Sequence, residues 1–333
     1  MKRLTCADAP IQTFGLLRTL LPQHFYRLPP SLDNELPEKL AVRGKSPVGG
    51  RVRFRTDAAE VTVRMELETL TVDWAIALCG SAGAVAAVGT GRDMRYAGPV
   101  SPRSYDQKSL VFSFKKTASM EDVTVFLPRN EILRSVEIEV DDHAKVEAPT
   151  PYSIGKPIVF YGSSITEGGC SSRVTNAYPA LLSKWLFSDY INLGFSGAAR
   201  GEPAMARYIA GLEMSAFVYD YDHNAPSADH LRDTHEPFFR IIRKMNPDLP
   251  ILILSKPDFD SSPADASARR DIIRKTYLHA VEAGDKHVVF LDGQTFFGEA
   301  DRPECTVDGC HPNDLGFMRM AEVIYPYLKH VLK

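Results

Sequence analysis

Tryptophan is scarce in this chain, with two among 333 residues, and cysteine is sparse, with five. An odd number of cysteines spread over such a length does not make a disulfide framework and fits free thiols in a reducing compartment. Cys305 and Cys310 lie close to His311, but no second Cys/His pair at zinc spacing completes four ligands. Free thiols, no metal and no other cofactor are therefore expected. Long apolar runs are also missing: nothing approaches the roughly 18 residues of a membrane span. Met1 to Pro10 carries Lys2 and Arg3 but meets Asp8 and Pro10 before any apolar signal core, so no signal peptide is expected. An excess of one charge sign is absent too, since the net charge is -3 and the pI about 6.3. That balance gives no electrostatic reason to expect nucleic acid or an anionic membrane as partner. A cytoplasmic location follows as the expectation.

What is present is an ordinary globular composition, 44% hydrophobic and 24% charged, in a chain long enough for two domains. Two textures divide near residue 150. In residues 1–150 apolar and polar side chains alternate, as in Val61, Val63, Met65 and Leu67; Val72, Trp74, Ile76 and Leu78; Leu110, Phe112 and Phe114; Val123, Val125 and Leu127; and Val136, Ile138 and Val140. Period two marks half-buried strands, separated here by clusters such as Pro47-Val48-Gly49-Gly50 and Gly98-Pro99. An all-β, jelly-roll-like sandwich is the expectation. Gly89-Thr90-Gly91 lacks the third glycine and the βαβ setting of a dinucleotide loop.

A Pro-containing stretch at 147–151 reads as a linker. Residues 151–333 carry short, continuously apolar strands at 158–161, 190–193, 216–219, 251–254 and 288–291. Between several of them lie helical patterns around Leu181, Phe238 and Ile272. This alternation predicts a doubly wound parallel sheet, an α/β fold whose ligands gather beyond the carboxyl ends of the strands.

The residues after those strands carry the chemistry. Gly162-Ser163-Ser164-Ile165-Thr166 follows the first, Asn192-Leu193-Gly194-Phe195-Ser196-Gly197 the second, and Asp220-Tyr221-Asp222-His223-Asn224 the third. Asp308-Gly309-Cys310-His311 follows the last, just ahead of an apolar helix. Taken singly, each has a plain reading as a helix cap or turn. Together they supply what acyl transfer needs: a hydroxyl, a base, a carboxylate to orient the base, and donors for an oxyanion.

In these blocks the second half, roughly residues 155–333, resembles the SGNH hydrolases, the GDSL-like esterase and lipase superfamily, whose fold is an α/β/α, flavodoxin-like layer structure. The resemblance implies Ser164 as nucleophile, His311 as base and Asp308 as its partner. It also implies an oxyanion hole from Ser164, Gly197 and Asn224. Two positions depart from the family pattern. Ser163 stands where the first block usually has Asp, and Asp222-His223-Asn224-Ala225 stands where the third has Gly-x-Asn-Asp. Asp222 is expected to narrow the pocket or repel anionic substrates, and His223 is a rival base. A β-rich first half is similar to two-domain members, among them carbohydrate esterases and a branch with a Gly-x-Asp-Leu-Tyr signature. That signature is not intact near Gly80-Ser81-Ala82-Gly83-Ala84-Val85.

The expected activity is hydrolysis of an acyl ester, with a short acyl group such as acetyl on a carbohydrate or small molecule, by a Ser-His-Asp acyl-enzyme mechanism. An acyltransferase using the same residues, and a non-catalytic carbohydrate-binding protein, are the alternatives. The oligomeric state is not legible.

Overall fold

The computed structural model describes residues 1–261 and 265–332; Lys333, the last residue of the expected second domain, lies outside the described residues. The first half is built from strands β1 (Lys2–Thr5), β2 (Gln12–Phe14), β3 (Arg51–Thr56), β4 (Glu60–Leu67), β5 (Ala84–Val88), β6 (Arg95–Val100), β7 (Ser109–Lys115), β8 (Glu121–Phe126), β9 (Leu133–Val140) and β10 (Val146–Glu147). They form two antiparallel sheets, one ordered β1-β9-β4-β7 and one ordered β10-β3-β8-β5-β6, with β2 added against β3. The alternating residues of the sequence form the layer between them: Val61, Val63 and Met65 meet Val123, Val125, Val136 and Ile138, all essentially without solvent contact. Two short helices, α1 (Glu38–Arg43) and α2 (Leu78–Ser81), interrupt the strands.

Two details differ from the sequence reading. The alternation at Val72, Trp74, Ile76 and Leu78 is not a strand. Residues 68–77 form a loop in which Val72 is 71% and Trp74 84% exposed. Alternation alone cannot make a strand where no neighbouring strand offers a ladder. Gly98-Pro99 lies inside β6 instead of ending it. β6 is an edge strand, where a residue without an N–H removes no obligatory hydrogen bond.

The second half is an α/β/α layer structure. Its strands β11 (Ile154–Gly162), β12 (Ser188–Gly194), β13 (Ala216–Asp220), β14 (Ile251–Leu254) and β15 (Val288–Leu291) are all parallel and ordered β12-β11-β13-β14-β15. Helices α3 (Ser164–Glu167), α4 (Tyr178–Leu186), α5 (Pro203–Ala210), α6 (Ala228–Met245), α7 (Ala266–Glu282) and α8 (Asp314–Val331) connect and follow them. β11 is buried on both faces. Val159 and Tyr161 pack with α5, α6 and α7 residues, while Ile158 and Phe160 pack with α4 and α8 residues. The strand order reverses between β11 and β13, which opens the crevice where ligands of such sheets sit.

The two halves share side chains. Leu28, Leu36, Leu40 and Ala41 from the first half belong to the same apolar cluster as Phe195, Met205 and Ile209. Arg27 is fully buried: Nη1 donates to the carbonyls of Asn192 (2.9 Å) and Gly194 (2.7 Å), Nε to Ser46 and Nη2 to Arg43. Its guanidinium also stacks on Phe195, 4.6 Å from the ring centre. Arg51 pairs with Asp189 and covers the Tyr190 ring at 4.0 Å.

Candidate active site

Ser164 owes its position to a strand that ends against a helix start. β11 stops at Gly162, where a Cβ would press against Thr166 and the Asp220 backbone, 2.9 Å from the Asp220 carbonyl carbon. Ser163 then caps α3, its hydroxyl accepting from the Ile165 N–H at 3.1 Å. This is the position where the family usually carries Asp, and a serine oxygen performs the same capping. Behind α3, Thr166 Oγ1 donates to Asp220 Oδ2 at 2.8 Å, and Tyr178 donates to the same oxygen at 3.0 Å. Asn192 Nδ2 donates to the Thr166 carbonyl, and its Oδ1 accepts from Gly194 N, both at 2.8 Å. The short helix is thus fixed by buried bonds from β12, β13 and α4.

The loop ahead of α8 brings the imidazole. Asn313 caps that helix by accepting from the N–H groups of Leu315 and Gly316. Asp308 Oδ1 accepts from the backbone N–H of Cys310 (3.0 Å) and His311 (2.7 Å), and its Oδ2 lies 2.8 Å from His311 Nδ1. His311 Nε2 lies 2.9 Å from Ser164 Oγ. Burial alone would raise the Asp308 pKa, but the His311 N–H, the imidazole and the Cys310 N–H outweigh it and hold the carboxyl below its usual range. A serine hydroxyl, an imidazole and an ionised carboxylate in series form a proton-transfer array: Nε2 can accept from Oγ while the carboxylate stabilises the resulting imidazolium.

The cleft over Ser164, a cavity of about 120 Å³, is walled by both halves of the chain. Glu167, Gly169, Cys170 and Ser196 stand beside Ser164 and His311, while Arg43, Asp73, Trp74, Arg129 and Asn130 come from the first half. Arg129 is buried, and among the described residues its Nε and Nη2 have no hydrogen-bond partner. Glu167 Oε2 accepts from the Ser196 N–H at 2.6 Å. Burial pushes the Cys170 thiol up to about 11, so it stays protonated at neutral pH. A larger cavity, about 670 Å³, lies between α6 and α7 around Glu236, Arg243, His279 and Asp285 and contains none of these groups.

The remaining expected residues sit less directly. Gly197 has φ +63, a backbone state that suits glycine, and Lys39 Nζ fills the space a Cβ would need. Asn224 Nδ2 donates to the Phe195 carbonyl at 2.9 Å, which ties the third block to the second. Among the described residues, neither Gly197 nor Asn224 is hydrogen-bonded to Ser164 or His311. Asp222, expected to narrow the pocket, is instead 1% exposed and faces Arg269 Nη1 at 3.3 Å, away from the residues that wall the cleft. An arginine neutralises the carboxylate that the sequence presented as bare. His223 does not reach Ser164 either; its Nε2 is 2.7 Å from Asp258 Oδ1. Burial opposes its charge, but bonding to Asp258 and Cys310 outweighs this and holds the imidazole well above its ordinary range.

Comparison with known proteins gives a consistent result. The model of the GDSL-like Lipase/Acylhydrolase family matches residues 155–329, and that of the N-terminus of SGNH-hydrolase-type esterases matches residues 4–146. A GDSL-like lipase from Bacteroides ovatus superposes with a TM-score of 0.88 at 24% identity, covering 99% of this chain and 98% of that one. A salicylyl-acyltransferase from a tetracycline biosynthetic pathway gives 0.81 at 21% identity, covering 99% and 97%. A family two carbohydrate esterase from Clostridium thermocellum, in complex with cellohexaose, gives 0.62 at 17%, covering 86% and 96%. At these identities the likeness is one of fold. No curated protein sequence matches. With the family model spanning more than half of the chain, the protein belongs to the GDSL-like lipase/acylhydrolase family and is a two-domain hydrolase of ester bonds.

Proposed function

We propose that the protein is a serine esterase that removes a short acyl group, such as acetyl, from a carbohydrate or small-molecule ester. The observation that carries this reading is the Ser164 Oγ to His311 Nε2 contact of 2.9 Å, continued by Asp308 on Nδ1. His311 takes the Ser164 proton as Oγ attacks the ester carbonyl. The oxyanion is held by the N–H groups of Ser164 and Gly197 and by Asn224, whose amide retains a second hydrogen beyond the one given to Phe195. His311 then protonates the departing alcohol. Water, deprotonated by the same imidazole, releases the acyl group.

The substrate class rests on the walls of the cleft. A cavity of about 120 Å³ is well below the several hundred Å³ of sites that enclose whole drug-sized ligands, which favours a short acyl chain. The exposed indole of Trp74 at its rim offers a flat apolar face for a sugar ring. We take the division as 1–150 for the sandwich and 151–333 for the catalytic domain, and the free cysteines favour a reducing, cytoplasmic setting.

Hydrolysis of p-nitrophenyl acetate tests the mechanism. Ser164→Ala is expected to lose at least about 10⁴-fold in kcat, since the members of such an array act as a unit. Equal rates for wild type and variant would end the esterase reading. Product analysis with added alcohols distinguishes transfer from hydrolysis: an acylated alcohol as the main product would favour the acyltransferase.

A further inference from the structure

Beside the active site, and not used by it, three side chains of different chemistry converge. His223 follows β13, Asp258 follows β14 and Cys310 lies in the loop before α8, so three separate loops at the carboxyl edge of the sheet each supply one donor. An imidazole nitrogen, a carboxylate oxygen and a thiol sulfur lie within 4.8 Å of one another. The His223 and Asp258 side chains are only 11% and 4% exposed. While Nε2 of His223 faces Asp258, its Nδ1 is buried beside them. Cys310 is a free thiol.

We propose that His223, Asp258 and Cys310 form a three-ligand site for zinc. The donor set decides the ion. Magnesium and calcium take oxygen ligands, so a sulfur and an imidazole disfavour them. One sulfur, one nitrogen and one oxygen suit a borderline divalent ion of tetrahedral habit, with bonds of about 2.0–2.3 Å. Donors held within 4.8 Å need small side-chain movements to close on such an ion, and the fourth position is left for water or an exogenous ligand. Binding displaces the protons carried by the thiol and the imidazole. The ion is not placed in the path from Ser164 through His311 to Asp308. It ties the loop bearing His311, the residue after Cys310, to the ends of β13 and β14.

Metal-stripped full-length protein, kept reduced, is titrated with Co²⁺ as a coloured stand-in for zinc. The expected result is a near-ultraviolet thiolate-to-cobalt charge-transfer band that saturates at one ion per chain and is bleached by Zn²⁺. Cys310→Ser removes the band. His223→Ala, and the more conservative His223→Gln, weaken Zn²⁺ binding at least tenfold in competition with a chromophoric chelator, since even partners outside the ligand shell cost about 10–100-fold. Cys79→Ser and Cys170→Ser leave both readouts unchanged, and so does Ser164→Ala, which keeps this result separate from the esterase reading. Far-ultraviolet circular dichroism establishes that each variant is folded. Absence of a sulfur band in the wild type, its survival in Cys310→Ser, or equal Zn²⁺ affinity in the wild type and a folded His223 variant overturns the proposal.

Discussion

Asp220 holds two hydroxyls on one carboxylate oxygen, and it does so with no access to water. Burial pushes its pKa up to about 6, even though the bonds from Thr166 and Tyr178 and the nearby His223 work the other way. In the unfolded chain the same group titrates near 3.9. Between about pH 4 and pH 6 the native state therefore binds more protons than the unfolded one, so this residue makes the fold less stable as pH rises through that window, and the loss persists above it. Asp220→Asn keeps an acceptor for both hydroxyls and removes the charge. In urea unfolding, the variant is expected to be more stable than wild type by about 1–3 kcal/mol at pH 7.5, with the gap closing near pH 4. A gap that does not change with pH would contradict the account. Asp308 is the opposite case, a carboxyl held below its usual range by two backbone N–H groups and an imidazole, which keeps it ionised beside His311 at neutral pH. The Asp308–His311 pair was legible in the sequence because its partners are local. The fate of Asp222 was not, because Arg269, which neutralises it, comes from another helix.

At the scale of elements, the site depends on how closely α3 lies against β12. A Cβ at Gly194 would stand 2.7 Å from Glu167 Cα and Thr166 C, backbone atoms that no rotamer change can move. Gly194→Ala is expected to cost about 1–3 kcal/mol, in the range of overpacked cores, and, under the proposed function, to lower kcat by displacing Ser164; thermal melts and turnover measured together check it. Arg27 plays a comparable part between the halves. Its removal takes a donor from the buried carbonyls of Asn192, Gly194 and Ser46, and at about 1–3 kcal/mol for each unsatisfied group Arg27→Met should lower Tm by well over 5 °C. The parallel strands could be read from sequence, since runs such as Ile158 to Tyr161 are apolar on both faces. α5 was not read from sequence, because its eight residues give only about two turns over which a helical period can repeat, and its burial is set by the neighbours Leu36, Leu40 and Phe238. The 68–77 loop was mistaken for a strand for the complementary reason: alternation was present, but the partner strand was not.

For the molecule as a whole, the cleft exists only when both halves are together. Ser164 and His311 stand on the α/β layer, whereas Trp74, Arg129 and Asn130 reach in from the sandwich. Under the proposed function, Trp74→Ala should raise KM for an acetylated oligosaccharide about 5–30-fold, the loss of roughly 1–2 kcal/mol of ring contact, and leave p-nitrophenyl acetate hydrolysis nearly unchanged. Equal effects on both substrates would argue against a sugar-facing role. The scarcity of tryptophan has a practical corollary. Trp74 is almost fully in water at the mouth of the cleft, and the other indole, Trp185, packs against Tyr325 with Arg92 over its ring. A Trp185→Phe protein would thus carry a single indole, at the substrate entrance, and its emission, excited beyond the tyrosine band, would register the arrival of a ligand without dye, label or turnover.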